Sequence, residues 1–197
     1  MRIQRLFLLF FFLLLLSYNI QAQVFVELRD NRYGIIGYRL KQHYSIQLEQ
    51  SLFSQKPSTQ YFDISLSYKE SLSWLNYGGG AYAGSQWDGA YYDFGGRFWG
   101  NIVVKKYGTF DVIINPHYDS DYLFSFCYKL GTSIRINDAI SFLAHYSTIP
   151  EYRMVENRVR VGFLFNNDHL QVSPIISYPL EGEPRTLRVL TSFIYTF

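Results

Sequence analysis

The sequence predicts an all-β protein, a closed antiparallel barrel of about twelve strands, with eight or ten as the alternatives. Three observations predict it. Apolar and polar residues alternate with period two in one segment after another. Clusters of turn-forming residues separate these segments. Beyond the first 22 residues no apolar run approaches the ~20 residues that a membrane-crossing helix needs.

The amino-terminal stretch is a separate unit. Arg2 and Arg5 precede an apolar run from Leu6 to Leu16, and the chain then turns polar around Ala22. A basic start, a short apolar run and a small residue at the junction predict a secretory signal peptide over residues 1–22, cleaved after Ala22. Residues 23–197 are then the barrel. Cleavage removes two of the 18 basic residues and none of the 16 acidic ones, which leaves the two signs in balance. No basic field remains to attract nucleic acid. Cys127 is the single cysteine, so no intrachain disulfide can form. An exported chain of this kind must be held by its core, by sheet closure or by a membrane.

The strands are expected at roughly 24–30, 33–40, 43–53, 60–69, 74–84, 90–103, 109–118, 121–135, 139–148, 155–166, 169–178 and 185–197, the first two being the weakest patterns. In the third, Tyr44, Ile46, Leu48 and Leu52 share one face and Ser45, Gln47, Glu49 and Ser51 the other. The fourth sets Phe62, Ile64, Leu66 and Tyr68 against Asp63, Ser65, Ser67 and Lys69. In the eighth, Tyr122, Phe124, Phe126, Tyr128 and Leu130 oppose Ser125, Cys127 and Lys129. In the tenth, Val159, Val161, Phe163 and Phe165 oppose Arg158, Arg160 and Gly162. Turn signals such as QWDG, KKYG, NNDH and LEGEP divide the segments, and the connections alternate between tight and longer. Pro116 and Pro174 fall inside expected strands. Proline cannot donate to a ladder, so a bulge or an early strand end is expected at each.

The apolar face is expected to point outward. The apolar stripes are strongly aromatic (the chain holds 18 Tyr and 17 Phe), with Tyr44, Tyr68, Tyr122, Tyr128, Tyr178 and Tyr195 close to strand ends. Aromatic girdles of this kind flank the apolar band of membrane barrels. The last segment carries Phe193, Tyr195 and the terminal Phe197 on one stripe. This terminus resembles the signature of Gram-negative outer-membrane β-barrel proteins, a resemblance of class that singles out no particular protein. It implies residence in the cell outer membrane, contact with outer-membrane lipid, and recognition of Phe193, Tyr195 and Phe197 by the barrel assembly machinery. No protein partner is specified. Leu190 and Ile194 depart from the pattern by falling on the inner face.

The expected inner face carries Glu49, Asp63, Asp93 and Asp111 together with Lys69, Arg97, Lys129, Arg158, Arg160 and Arg188. An ion-pair network filling the lumen is the first reading of these charges. The alternative is a narrow polar pore with Arg158, Arg160 and Arg188 as an electropositive lining. His145 and Ser147 stand two apart on one strand face, with Glu151 or Glu156 available to orient the imidazole. The pair resembles the His-x-Ser element of outer-membrane lipid A deacylases. The likeness covers those two residues, and Thr148 stands where that family has Asn. Filler within the lumen is the plainer role for both. The Gly-rich stretches lack the Lys-Ser/Thr of a phosphate loop and more simply mark bends in a curved sheet. Trp74, Trp87 and Trp99 read first as interfacial anchors, with a ligand platform as the alternative. His43, His117, His145 and His169 are too scattered for a metal site, and no cofactor is expected. The leading functional expectation is a non-enzymatic outer-membrane barrel with a structural, binding or accessory role and a narrow or plugged lumen. A narrow, porin-like diffusion channel is second, and a lipid-modifying enzyme third.

Overall fold

The computed structural model describes residues 22–40, 43–52, 60–148, 157–181 and 186–197, which form strands and turns only. Twelve strands follow one another: β1 (Ala22–Arg29), β2 (Tyr33–Leu40), β3 (Tyr44–Ser51), β4 (Tyr61–Ser71), β5 (Leu75–Gln86) and β6 (Tyr92–Val104), then β7 (Gly108–Asp119), β8 (Leu123–Arg135), β9 (Ile140–Ser147), β10 (Arg158–Asn166), β11 (Leu170–Pro179) and β12 (Arg188–Thr196). Each pairs antiparallel with its chain neighbours, and β1 pairs with β12 to close the barrel. The strands start and stop within a few residues of the expected positions, because period-two alternation and turn residues locate a strand directly. The weakly patterned β1 and β2 are both present.

Up-and-down order puts the two termini at one end of the barrel, together with the turns around 72–74, 105–107, 136–139 and 167–169. The turns at 30–32, 87–91 and 120–122 lie at the far end. The first of these is a three-residue hairpin connection between Arg29 and its partner Tyr33. Asp30 and Asn31 have φ of 55° and 56°, and the Arg32 amide donates to the Arg29 carbonyl at 2.9 Å. Two consecutive left-handed residues match the twist of the flanking strands, and Asp and Asn tolerate that region.

The two prolines do not act as expected. Neither creates a bulge and neither ends a strand. Pro116 pairs in register with Phe126 on β8, while on the β6 side pairing stops after Gly95↔His117 and resumes, still in step, at Phe98↔Ile114. The Asn115 side chain spans this gap, donating from Nδ2 to the Gly96 carbonyl at 2.6 Å. Pro174 behaves alike. It sits opposite Thr191 on β12, while the β10 ladder skips from Gly162↔Ile175 to Phe165↔Val172. A local gap costs one or two hydrogen bonds, whereas a bulge would move every later side chain to the wrong face.

The apolar stripes face outward. Ile64, Leu66, Phe94, Phe98, Phe126 and Val189 are all exposed on the outer surface. So large an apolar surface requires a non-aqueous neighbour. Exposed aromatics collect at both ends. Tyr44, Tyr68, Trp74, Tyr107 and Tyr195 lie towards the termini; Trp87, Tyr92, Tyr122 and Tyr178 lie towards the far end. The closing ladder between β1 and β12 is short, from Phe25↔Thr196 to Leu28↔Phe193. That between β7 and β8 runs from Gly108↔Ile134 to Asp119↔Leu123.

Candidate functional site: the lumen

Inner-face side chains surround a cavity of about 420 Å³. Its walls come mainly from β1 to β9, and β10 contributes Arg160. Towards the termini the lining is open: Lys69 and His43 are exposed, and Arg39 and Ser45 are half-buried. Towards the far end it is packed. Tyr33, Tyr61, Asp30, Asn115, His117 and Ser147 line the cavity and are all buried. Beyond them Tyr91, Gln86 and Asp119 are buried as well. The lumen is thus wet at one end and constricted at the other.

Several inner-face aromatic rings lie over glycines of a neighbouring strand. The Phe25 ring lies where a side chain at Gly37 would be, and Tyr61 lies over Gly84. Tyr82 reaches Gly95, and Trp99 lies over Gly78. Glycine on the neighbouring strand is what makes room for each ring, which accounts for Gly78 and Gly84 of β5 and Gly95 of β6.

Two kinds of charge share the lumen. One kind is paired. Arg29 bridges Glu27 and Glu49, each at 2.8 Å, and Arg160 meets Asp30 at 2.9 Å. Asp30 also accepts from the Ser192 hydroxyl at 3.3 Å. These contacts offset the cost of taking the charges out of water. The other kind has no carboxylate within ion-pair distance among the described residues: Arg39, Lys69, Arg97 and Lys129, all lining the cavity. Arg97 is solvent-exposed although it sits on the inner face, and its guanidinium lies 5.4 Å from the centre of the Tyr82 ring.

A third group is a buried hydrogen-bonded chain. Tyr82 Oη and His117 Nδ1 are 2.5 Å apart, and His117 Nε2 is 3.0 Å from Asp119 Oδ2. The other Asp119 oxygen accepts from the amides of Asp121 and Tyr122, at 2.8 and 2.6 Å. The turn between β7 and β8 is therefore tied to a tyrosine at the cavity wall.

Most of the expected lining residues reach the lumen, in different roles. Glu49 and Asp63 stand opposite each other on β3 and β4, with Arg29 bound to Glu49. Asp93 accepts from the Tyr61 hydroxyl at 2.7 Å. Asp111 accepts from Asn101 and, at 3.4 Å, from Thr109, and it lies off the cavity. Arg97 and Lys129 line the cavity. Of the three arginines expected as an electropositive lining, Arg160 reaches the cavity and is paired with Asp30. Arg158 is 3% exposed and stands off the cavity, and Arg188 lies beside Asp30, Asn31 and Arg32 in a shallow surface depression.

His145 and Ser147 both line the cavity, as their shared strand face predicts. They register with Arg160 and Arg158 on β10. Glu151 and Glu156 lie outside the described residues. Trp99 faces inward, contrary to its expected role as an interfacial anchor; Trp74 and Trp87 are exposed at turns. Phe193, Tyr195 and Phe197 share the outer stripe, and the Phe197 ring packs edge-on against Tyr195 at 4.9 Å. Sequence reasoning missed Arg29, Arg39, Tyr82, His117 and Asp119. The alternation of Glu27 and Arg29 with Val26 and Leu28 is the signal that places Arg29 on the inner face.

No protein-family model matches the chain, and no curated protein matches it. Solved structures do. A KdgM porin in complex with disordered oligogalacturonate superposes with a TM-score of 0.67 at 9% identity, covering 89% of this chain and 98% of that one. A second KdgM porin structure gives 0.66 at 10% identity over 89% and 98%. A NanC porin gives 0.53 at 9% identity over 89% and 97%. At such identities the likeness shows the fold: this chain is a closed twelve-strand antiparallel barrel of the kind found in those porins.

Proposed function

We propose that this chain is an integral outer-membrane barrel that acts as a narrow, porin-like channel for small hydrophilic solutes, with a preference for anions. The channel thus takes precedence over the structural or accessory role expected first from the sequence. One observation carries it. Arg97 stands on the inner wall, is exposed to solvent, and opens onto a cavity of about 420 Å³ with three more cations outside any ion pair. A lumen serving only as filler would cover such a charge, because an unpaired ion in a dry interior is costly. Rings of unpaired cations favour anions in a pore. The porin fold of the structural neighbours supports the same reading.

The oligogalacturonate in one neighbour's structure is a polyanion. The lining of this chain suits a smaller charge, because Glu49, Asp63 and Asp93 face the same cavity as the cations. The proposal includes export by the amino-terminal segment, cleavage after Ala22, and recognition of the terminal aromatic stripe during assembly. The apolar outer band flanked by aromatic residues at both ends supports a membrane setting.

The buried far-end layer around Tyr61, His117 and Asp119 favours a channel that is tightly constricted there. Single-channel recording of the refolded mature protein in a planar bilayer is the test. Small reproducible steps with an anion-selective reversal potential are expected. A folded barrel that stays electrically silent would return the accessory role to first place.

A further inference from the structure

We propose that Trp99, flanked by Lys69 and Lys129, forms a binding platform inside the lumen for a solute with an apolar ring face and an anionic edge. This rests on the reading that solutes enter the lumen. The ladders align Lys69, Gly78, Trp99, Ile113 and Lys129 across five consecutive strands, β4 to β8. All five positions are on the inner face, and Gly78 contributes no side chain. The indole occupies that vacant place, with its Cζ2 edge against Gly78. It is therefore held along the wall beside Gly78, where it lines the cavity.

Three donors at this place are uncommitted. Among the described residues, the Trp99 indole N–H and the ammonium groups of Lys69 and Lys129 make no hydrogen bond or ion pair. Arg29 and Arg160, in the same cavity, are both paired with carboxylates. Ile113, next to Trp99 in the row, extends the apolar surface. A ring stacked on the indole is held by its face, and a carboxylate on its edge meets an ammonium group on either side. Acidic sugars and aromatic carboxylates both have this chemistry.

The test uses full-length refolded barrel in detergent carrying Trp74→Phe and Trp87→Phe, so that Trp99 is the remaining one of three indoles. Its emission is followed while trigalacturonate, benzoate or maltotriose is added separately. A saturable change with trigalacturonate assigns the platform to acidic sugars, and one with benzoate assigns it to aromatic acids. Maltotriose binding as tightly as the anionic probes would overturn the role of the lysines. No saturable change with any probe would overturn the platform.

Calorimetry on single variants gives a second readout. Trp99→Ala should weaken the responding probe about tenfold, and Trp99→Phe should recover most of the loss. Lys69→Gln and Lys129→Gln should each weaken binding and flatten its salt dependence. Unchanged binding in both lysine variants would also overturn the proposal. None of these measurements needs a current. A conducting barrel with no titration would sink the platform alone, and a silent barrel that still titrates would sink the channel alone.

Discussion

Asp30, on the turn between β1 and β2, and Arg160, on β10, meet at 2.9 Å although 130 residues separate them in the chain. The turn does not project from the far end. It folds inward, the Asn31 amide donates to the Thr191 carbonyl at 3.1 Å, and Asp30 is left 4% exposed. The pair reaches across the closing seam, past β12 and β11.

Breaking that pair should be costly, because it strands a charge in the lumen. Asp30→Ala is expected to lose about 3 kcal/mol or more of stability. The double variant Asp30→Asn with Arg160→Met should recover most of it, since no buried charge is left and Asn tolerates the left-handed turn. Urea titration of the refolded barrel in detergent checks both. A double variant no better than Asp30→Ala would show that the turn itself, and not the charge pair, holds this region.

Selectivity should follow the unpaired cations. Arg97→Gln and Lys129→Gln are each expected to move the reversal potential towards cations in a salt gradient. Arg158→Gln should leave it close to the parent value, because Arg158 is buried away from the cavity. A larger shift from Arg158 than from Arg97 would contradict this assignment of the lining.

Asn115 should matter more than a polar lumen residue ordinarily does. It is 1% exposed, and its donor satisfies a carbonyl in the gap that Pro116 leaves. Asn115→Leu is expected to cost about 1–3 kcal/mol through the unpaired Gly96 carbonyl. Pro116→Ala restores a backbone donor and should soften that loss in the double variant. Chemical denaturation of the four proteins supplies the cycle, and strict additivity would argue against a shared role.

The terminal aromatic stripe should affect assembly more than stability. Phe197→Ala removes an exposed outer ring, while the Phe197 amide still donates to the Val24 carbonyl. Refolding into detergent is expected to change by less than about 0.5 kcal/mol. The amount reaching the outer membrane of expressing cells should fall severalfold. Normal delivery together with failed refolding would reverse the two roles.

The sequence shows the barrel readily and its lumen only in part. Strand positions and the outward stripe follow from alternation alone, so Ile64, Phe126 and Phe163 are placed without any tertiary information. The same phase put Glu49, Asp63, Asp93, Arg97 and Lys129 on the inner wall. Alternation does not tell which inner residues meet. Arg29 with Glu49, Arg160 with Asp30, and the chain from Tyr82 to Asp119 depend on register and barrel curvature. Trp99 was misread for a related reason. Its residue type suits an interface, and only the vacancy at Gly78 on the adjoining strand shows that an indole fits inside. The prolines misled because a single proline in a strand resembles a stop, while at Pro116 the Asn115 side chain supplies a replacement bond locally.

The short closing ladder has a kinetic consequence. Every other strand pair is made between neighbours in the chain, so its loop is short and its entropic cost low. β1 must wait for β12, and the two then pair from Phe25↔Thr196 to Leu28↔Phe193, with one further backbone bond beyond each end of that stretch. Closure is the slowest contact to form and the one with fewest bonds to hold it afterwards. In the proposed membrane setting a parted seam would leave both edges unpaired in hydrocarbon, so the surrounding lipid would act as the clasp. Out of lipid, the barrel should come apart at β1 and β12 before any hairpin opens.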